Sequence, residues 1–149
     1  HKRLEKTLLD NLAYASARCS AAGGQLLLEP INQRDMPGYF VSTTNHFERL
    51  LALANLDNLH LQYDFYHQQI VDGDLMRNFA RLQPVISHVQ IADNPGRHEP
   101  GTGEINYDFI LGELERLGYA GWVGCEYVPQ TTVSEGLGWL DAYRRRSTR

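Results

Sequence analysis

Residues 88–104, HVQIADNPGRHEPGTGE, begin as a β-strand and then stop behaving like one. Gln90 sits amid apolar neighbours, and Asp93, Arg97, His98, Glu99 and Glu104 follow on a thread of three glycines and two prolines. A surface turn would account for the glycine, proline and polar content alone. It would not account for the same habit elsewhere in the chain, and the other strands show it.

Working outward from this stretch, VISHVQIA (residues 85–92) reads as a strand that Pro84 separates from a helix opened by Asp72-Gly73-Asp74 and carried by LMRNFARL. Upstream, LHLQYDFY (59–66) is a second strand. Before it, Asn45 and Glu48 have capping-box spacing ahead of FERLLALANL. Earlier still, QLLLEPI (25–31) is the short apolar run of a strand covered on both faces. Leu4, Leu8, Leu12, Ala15 and Cys19 lie at helical spacing and Gly23-Gly24 supplies a stop. Downstream, Tyr107 to Leu117 forms a helix ended by Gly118, GWVGCEYV (121–128) a fourth strand and Leu137 to Arg146 a closing helix. Four alternations of strand and helix predict an α/β fold with a parallel sheet and right-handed crossovers, as one domain over residues 1–149.

Composition limits the functions open to such a chain. With 42% hydrophobic and 21% charged residues it has the makeup of an ordinary globular domain. A net charge of -4 disfavours a nucleic-acid or membrane-surface role, which needs clustered cations; the run Arg144 to Arg146 is read as a helix-end cap or frayed tail. Cys19 and Cys125 lack metal-ligand spacing and suggest no disulfide framework, which fits a reducing, cytoplasmic setting. No run is long and apolar enough to span a bilayer. A chain beginning at His1 is expected to be trimmed or partial.

Each strand carries a polar residue at or near its C-terminal end: Glu29, Asp64, Gln90 and Glu126. In parallel α/β folds the loops from neighbouring strands converge there and form ligand sites. Carboxylates brought together would repel one another unless a cation sat among them. Three carboxylates and an amide oxygen suit Mg2+ or Mn2+ better than zinc. The alternative, in which Gln90 and one acid merely bond backbone amides, accounts for the spacing equally well.

The segments EPINQRDMPGYF (29–40), QYDFYHQQ (62–69), HVQIADNPGRHEPGTGEINY (88–107) and GWVGCEYVP (121–129) resemble those of the hydroxypyruvate isomerase family of the xylose isomerase-like TIM barrels. The resemblance implies a (β/α) barrel of which about four βα units, the C-terminal half, are present. It implies Glu29, Asp64, Gln90 and Glu126 as metal ligands, with Glu29 and Glu126 also the acid/base pair. Where many relatives carry His, this chain has Gln90. His67 matches the family's DxxH, whose His lies near a substrate oxygen. Arg97 matches an Arg of the loop after strand three and would bind a substrate carboxylate or hydroxyl pair, or else bridge Glu99 or Glu104. Residues 94–104 would then wrap over the substrate.

The expected activity is interconversion of hydroxypyruvate and 2-hydroxy-3-oxopropanoate through an enediolate, dependent on Mg2+ or Mn2+. Three alternatives stay open: isomerisation of a four-carbon 2-oxo acid, metal-dependent hydrolysis as in DNA-repair endonucleases of the same superfamily, and metal binding without turnover. A TIM barrel needs about 250 residues, so the chain is expected to be a piece of a longer protein, to pair as a homo-oligomer, or to close up as a small open α/β sheet, truncation being preferred to pairing. The partner is a small molecule, not nucleic acid or membrane.

Overall fold

The computed structural model describes residues 2–147. Its centre is a four-stranded, wholly parallel sheet in the order β1-β2-β3-β4, formed by Leu26–Leu28, Leu59–Asp64, Ile86–Ile91 and Val123–Cys125. Consecutive strands are neighbours, so each returning helix carries the chain one strand further in the same direction. This sequential parallel order is that of a barrel wall. Helix α1 (Lys2–Ala21) precedes β1, α2 (Thr44–Ala54) joins β1 to β2, and α5 (Tyr107–Arg116) joins β3 to β4. Between β2 and β3 the connection holds α3 (Phe65–Val71), α4 (Leu75–Leu82) and a 3-10 turn at Gln83–Val85. A short α6 (Val133–Gly136) and α7 (Trp139–Ser147) follow β4. The side chains of Arg145 and Arg146, in the basic run expected at a helix end, lie outside the described residues.

Alternation along β2 and β3 sorts the two faces of the sheet. Leu61, Tyr63, Val89 and Ile91 are completely buried against the helices, where Phe47, Leu50, Phe65 and Phe79 meet them. Tyr63 packs edge-on against both Phe65 and Phe79 at ring-centroid distances of 5.1 and 5.6 Å. The opposite face carries His60, Gln62, His88 and Gln90, all only partly buried. A polar inner face is what an apolar-out, ligand-in barrel wall requires.

Three local expectations are corrected. The cap of α2 is Thr43, whose hydroxyl accepts the His46 N–H at 3.0 Å; Asn45 and Glu48 lie inside the helix, and Asn55 closes it in the left-handed conformation. β2 ends at Asp64 instead of running to Tyr66, because the Asp64 carboxylate caps a helix beginning at Phe65. β1 and β4 are three residues each, shorter than the apolar runs suggest. Pro30 ends the first run, and the segment after Cys125 turns away to meet the loop that follows β3.

Candidate metal and substrate site

The local folding of β2 into α3 does more than end a strand. Asp64 Oδ1 accepts the Tyr66 backbone N–H at 2.8 Å, so one carboxylate oxygen satisfies the helix start and the other, Oδ2, is turned toward the strand ends. Glu29, just past β1, is held in the same manner from one side only. Gln62 Nε2 donates to Glu29 Oε2 at 2.8 Å, leaving Oε1 facing inward. Glu29 Oε1 and Asp64 Oδ2 are both buried without a hydrogen-bond partner. Buried, unpartnered carboxylate oxygens are costly, and two side by side call for positive charge.

Ligand-capable atoms of Glu29, Asp64, His67 and Glu126 all lie within 4.8 Å of one another. The electrostatics follow. Glu29 is pushed up from 4.5 to about 7, first by burial and then by the charges of Asp64 and Glu126. Asp64 rises to about 6, mainly through burial, against the pull of the Tyr66 N–H and Arg97. His67, 1% exposed, is driven down to about 4, by burial first and then by the Arg97 charge. Its Nε2 stands 3.5 Å from Glu29 Oε1 and 3.6 Å from Asp64 Oδ2. With the imidazole neutral above about pH 4, these contacts are not ion pairs. Against the three carboxylates Arg97 supplies a single positive charge, so the ionised cluster stays net negative, and the donor set of carboxylates suits a hard divalent cation.

Gln90, the fourth ligand that the resemblance implies, is tied to this group through Gln62, which donates to Gln90 Oε1 at 2.6 Å as well as to Glu29. Asp64 and Gln90 are register partners on adjacent strands and so project from the same face. Glu126 is half-exposed and bonded by Arg97 Nη2 at 2.7 Å; the same nitrogen is 3.9 Å from Asp64 Oδ2. Arg97 thus faces the acids at the strand ends instead of Glu99 or Glu104, which engage the Gln130 N–H and the Asn94 amide respectively. Its guanidinium also lies 5.1 Å from the centre of the Tyr66 ring.

What holds Arg97 there is the loop of residues 92–105 that follows β3. The buried Asp93 carboxylate accepts four backbone N–H groups, from Asn94, Gly101, Gly103 and Ile105, at 2.9 to 3.0 Å. Arg97 itself takes a positive φ of 56°, its N–H bonded to Asp93 O and its carbonyl to the Val128 N–H. The loop is a built structure, clasped to the segment leaving β4.

Gln62, Asn32 and Asp35 go unread in the sequence, and Asp93 is legible there only as one polar residue of the loop. Gln62 was accessible, since it precedes Asp64 by two residues and alternation puts both on one face. Asn32, completely buried, bonds His67 Nδ1 at 2.7 Å across 35 positions, and no spacing rule announces that.

Comparison with known proteins agrees with this architecture. The family model described as xylose isomerase-like TIM barrel matches residues 2–143. Hydroxypyruvate isomerase of Escherichia coli K12 is 46% identical over 143 residues, covering 96% of this chain and 55% of that protein. A 2-oxo-tetronate isomerase of Cupriavidus necator is 45% identical over 144 residues, covering 97% and 55%. The crystal structure of AP endonuclease, family 2 from Brucella melitensis superposes with a TM-score of 0.88 at 44% identity, covering 93% of this chain and 54% of that one. The chain spans about half the length of the relatives it matches. On its parallel sheet, its strand-end site and the matched family model, the chain belongs to the xylose isomerase-like TIM barrels.

Proposed function

We propose that this chain is part of a metal-dependent isomerase that interconverts hydroxypyruvate and 2-hydroxy-3-oxopropanoate. The observation that carries the reading is the pair of buried, unpartnered oxygens, Glu29 Oε1 and Asp64 Oδ2, on two residues of a group in which Glu29, Asp64, His67 and Glu126 each bring a ligand-capable atom within 4.8 Å of the others. The names of the similar isomerases point the same way. Glu29, Asp64 and Glu126, with Gln90 beside them, are the residues that would hold Mg2+ or Mn2+. When bound, the cation supplies positive charge to substrate oxygens as they become negative.

In the forward direction a proton leaves carbon 3 and one is added at carbon 2, while the hydroxyl proton passes to the former carbonyl oxygen. Glu29 and Glu126 perform the removal and the return. A carboxylate held beside the substrate carbons can take a proton as base and return one as acid. Gln62 fixes Glu29 by its other oxygen and so aims Oε1. Arg97 keeps N–H groups beyond the one bonded to Glu126 and offers them to the substrate carboxylate. Residues 93–104 exclude water over the site. The remaining cover, and the mate for the polar inner face of the sheet, come from a second half-barrel, whether in the same polypeptide or in a second copy. The free thiols of Cys19 and Cys125 support a reducing, cytoplasmic setting.

Isomerisation of a four-carbon 2-oxo acid is the second reading. The relatives named for it are as similar as those named for hydroxypyruvate, and the chemistry is the same. Comparing kcat/KM on the two substrates decides between them. Endonuclease activity has one structural relative's name behind it, but a site with one histidine and a chain of net charge -4 supports it poorly.

Proton NMR of hydroxypyruvate in deuterated buffer with Mg2+ tests the proposal. Loss of the carbon-3 hydrogen signal is expected with the wild type and is slowed in Glu29→Gln. No exchange in the wild type, or equal exchange in the variant, sinks it.

A further inference from the structure

We infer that Asn32 is a positioning residue that fixes the tautomer of His67, making its Nε2 a hydrogen-bond donor into the site and not a metal ligand. The inference rests on the site assignment above for its purpose and on the hydrogen bonds around Asn32 for its content. Asn32 is completely buried and its side chain cannot be turned over. Its Oδ1 accepts the Asp35 backbone N–H at 2.9 Å, and its Nδ2 donates to Asp35 Oδ2 at 3.1 Å. Reversing the amide would face N–H against N–H and oxygen against carboxylate.

Nδ2 has a second hydrogen, and 2.7 Å from that nitrogen lies His67 Nδ1. Facing a donor, Nδ1 must present its lone pair, so in the neutral ring the proton sits on Nε2. That nitrogen points between Glu29 Oε1 and Asp64 Oδ2, at 3.5 and 3.6 Å. A nitrogen carrying a proton has no lone pair for a cation. His67 therefore contributes an N–H to whatever oxygen enters between the two acids, and the cation is left to the carboxylates.

Asp35 is itself anchored. Its Oδ2 accepts the Tyr66 hydroxyl at 2.6 Å, and that hydroxyl accepts from Arg34, whose Nη2 also reaches Asn94 Oδ1 at 3.3 Å. The chain Asn94, Arg34, Tyr66, Asp35, Asn32, His67 thus joins the loop after β3 to the loop after β1 and the start of α3. It holds the amide that sets the imidazole.

The test is 15N NMR of histidine-labelled protein, with and without Mg2+ as the probe. We expect a bare-nitrogen shift at His67 Nδ1 and an N–H shift at Nε2, unchanged by saturating Mg2+. In Asn32→Leu the single tautomer is expected to give way to a mixture, with kcat falling about 10-fold, the scale of one lost hydrogen bond. A proton on Nδ1 in the wild type, or deprotonation of Nε2 by Mg2+, overturns the assignment. So does a folded Asn32→Leu protein that keeps the Nε2–H form alone; should that variant not fold, the two wild-type spectra decide. None of these spectra needs turnover. An inactive protein with the expected tautomer would refute the isomerase reading and leave this one standing.

Discussion

Replacing Glu29 by Gln should stabilise the cation-free protein at pH 8 and leave it nearly unchanged at pH 4. In the folded protein Glu29 titrates near 7, against an ordinary 4.5. Because its folded value is raised, the folded state holds a proton that the unfolded chain has lost between about pH 4.5 and 7, and stability falls as pH rises through that window. At about 1.4 kcal/mol per pH unit, a rise of about 2.5 units sets a ceiling of about 3.4 kcal/mol. The Glu29 side chain keeps 17% exposure, and solvent screening reduces the effect to about 2 kcal/mol. Asp64 acts in the same direction between about 4 and 6, whereas His67, lowered to about 4, acts oppositely below 6.5. Gln is nearly isosteric, can still accept from Gln62, and can donate toward Asp64 Oδ2. In chelator, thermal melts at pH 8 should place Glu29→Gln several degrees above wild type, about 4–8 °C for a chain of 150–250 residues. With excess Mn2+ the order should invert, because binding at 100 times Kd adds about 2.7 kcal/mol only where the ligand set is whole. A variant less stable than wild type at pH 8 in chelator would refute the idea that Glu29 Oε1 is an uncompensated charge.

Three further outcomes follow from the loop after β3 and its arginine. Asp93→Asn keeps one acceptor oxygen and sets an NH2 donor against the other two of the four N–H groups; urea unfolding should show a loss of about 2–4 kcal/mol, with kcat/KM reduced because Arg97 is no longer aimed. Gly103→Ala would set a Cβ 2.1 Å from the Asn94 carbonyl oxygen; the backbone must move, at about 1–3 kcal/mol, visible in the same assay. Arg97→Lys keeps the charge but loses the planar fork, so kcat/KM for hydroxypyruvate should fall about 10–100-fold while Mn2+ affinity changes little.

The layout of the sheet was legible because β-alternation and helix periodicity are local. Leu61, Tyr63, Val89 and Ile91 announce the buried face, and Glu29, Asp64, Gln90 and Glu126 sit at the strand ends where the loops converge. The misread boundaries have a common cause. LHLQYDFY looks like one strand because its aromatics suit either state, and only the capping bond of Asp64 to Tyr66, a tertiary choice serving the site, turns Phe65 into the start of a helix. The fixed loop was legible in composition but not in architecture. That Asp93 gathers four N–H groups depends on how residues 94–105 fold back, and glycine spacing alone does not encode it. The contact between Asn32 and His67 is hidden for the same reason: both lie in connections whose convergence the parallel sheet creates.

The account stands most directly on where a cation binds. Crystals soaked in Mn2+ and measured at the manganese absorption edge should show one strong anomalous peak in contact with Glu29 Oε1 and Asp64 Oδ2. A site with no peak at saturating Mn2+, or a peak that avoids both oxygens, would contradict it.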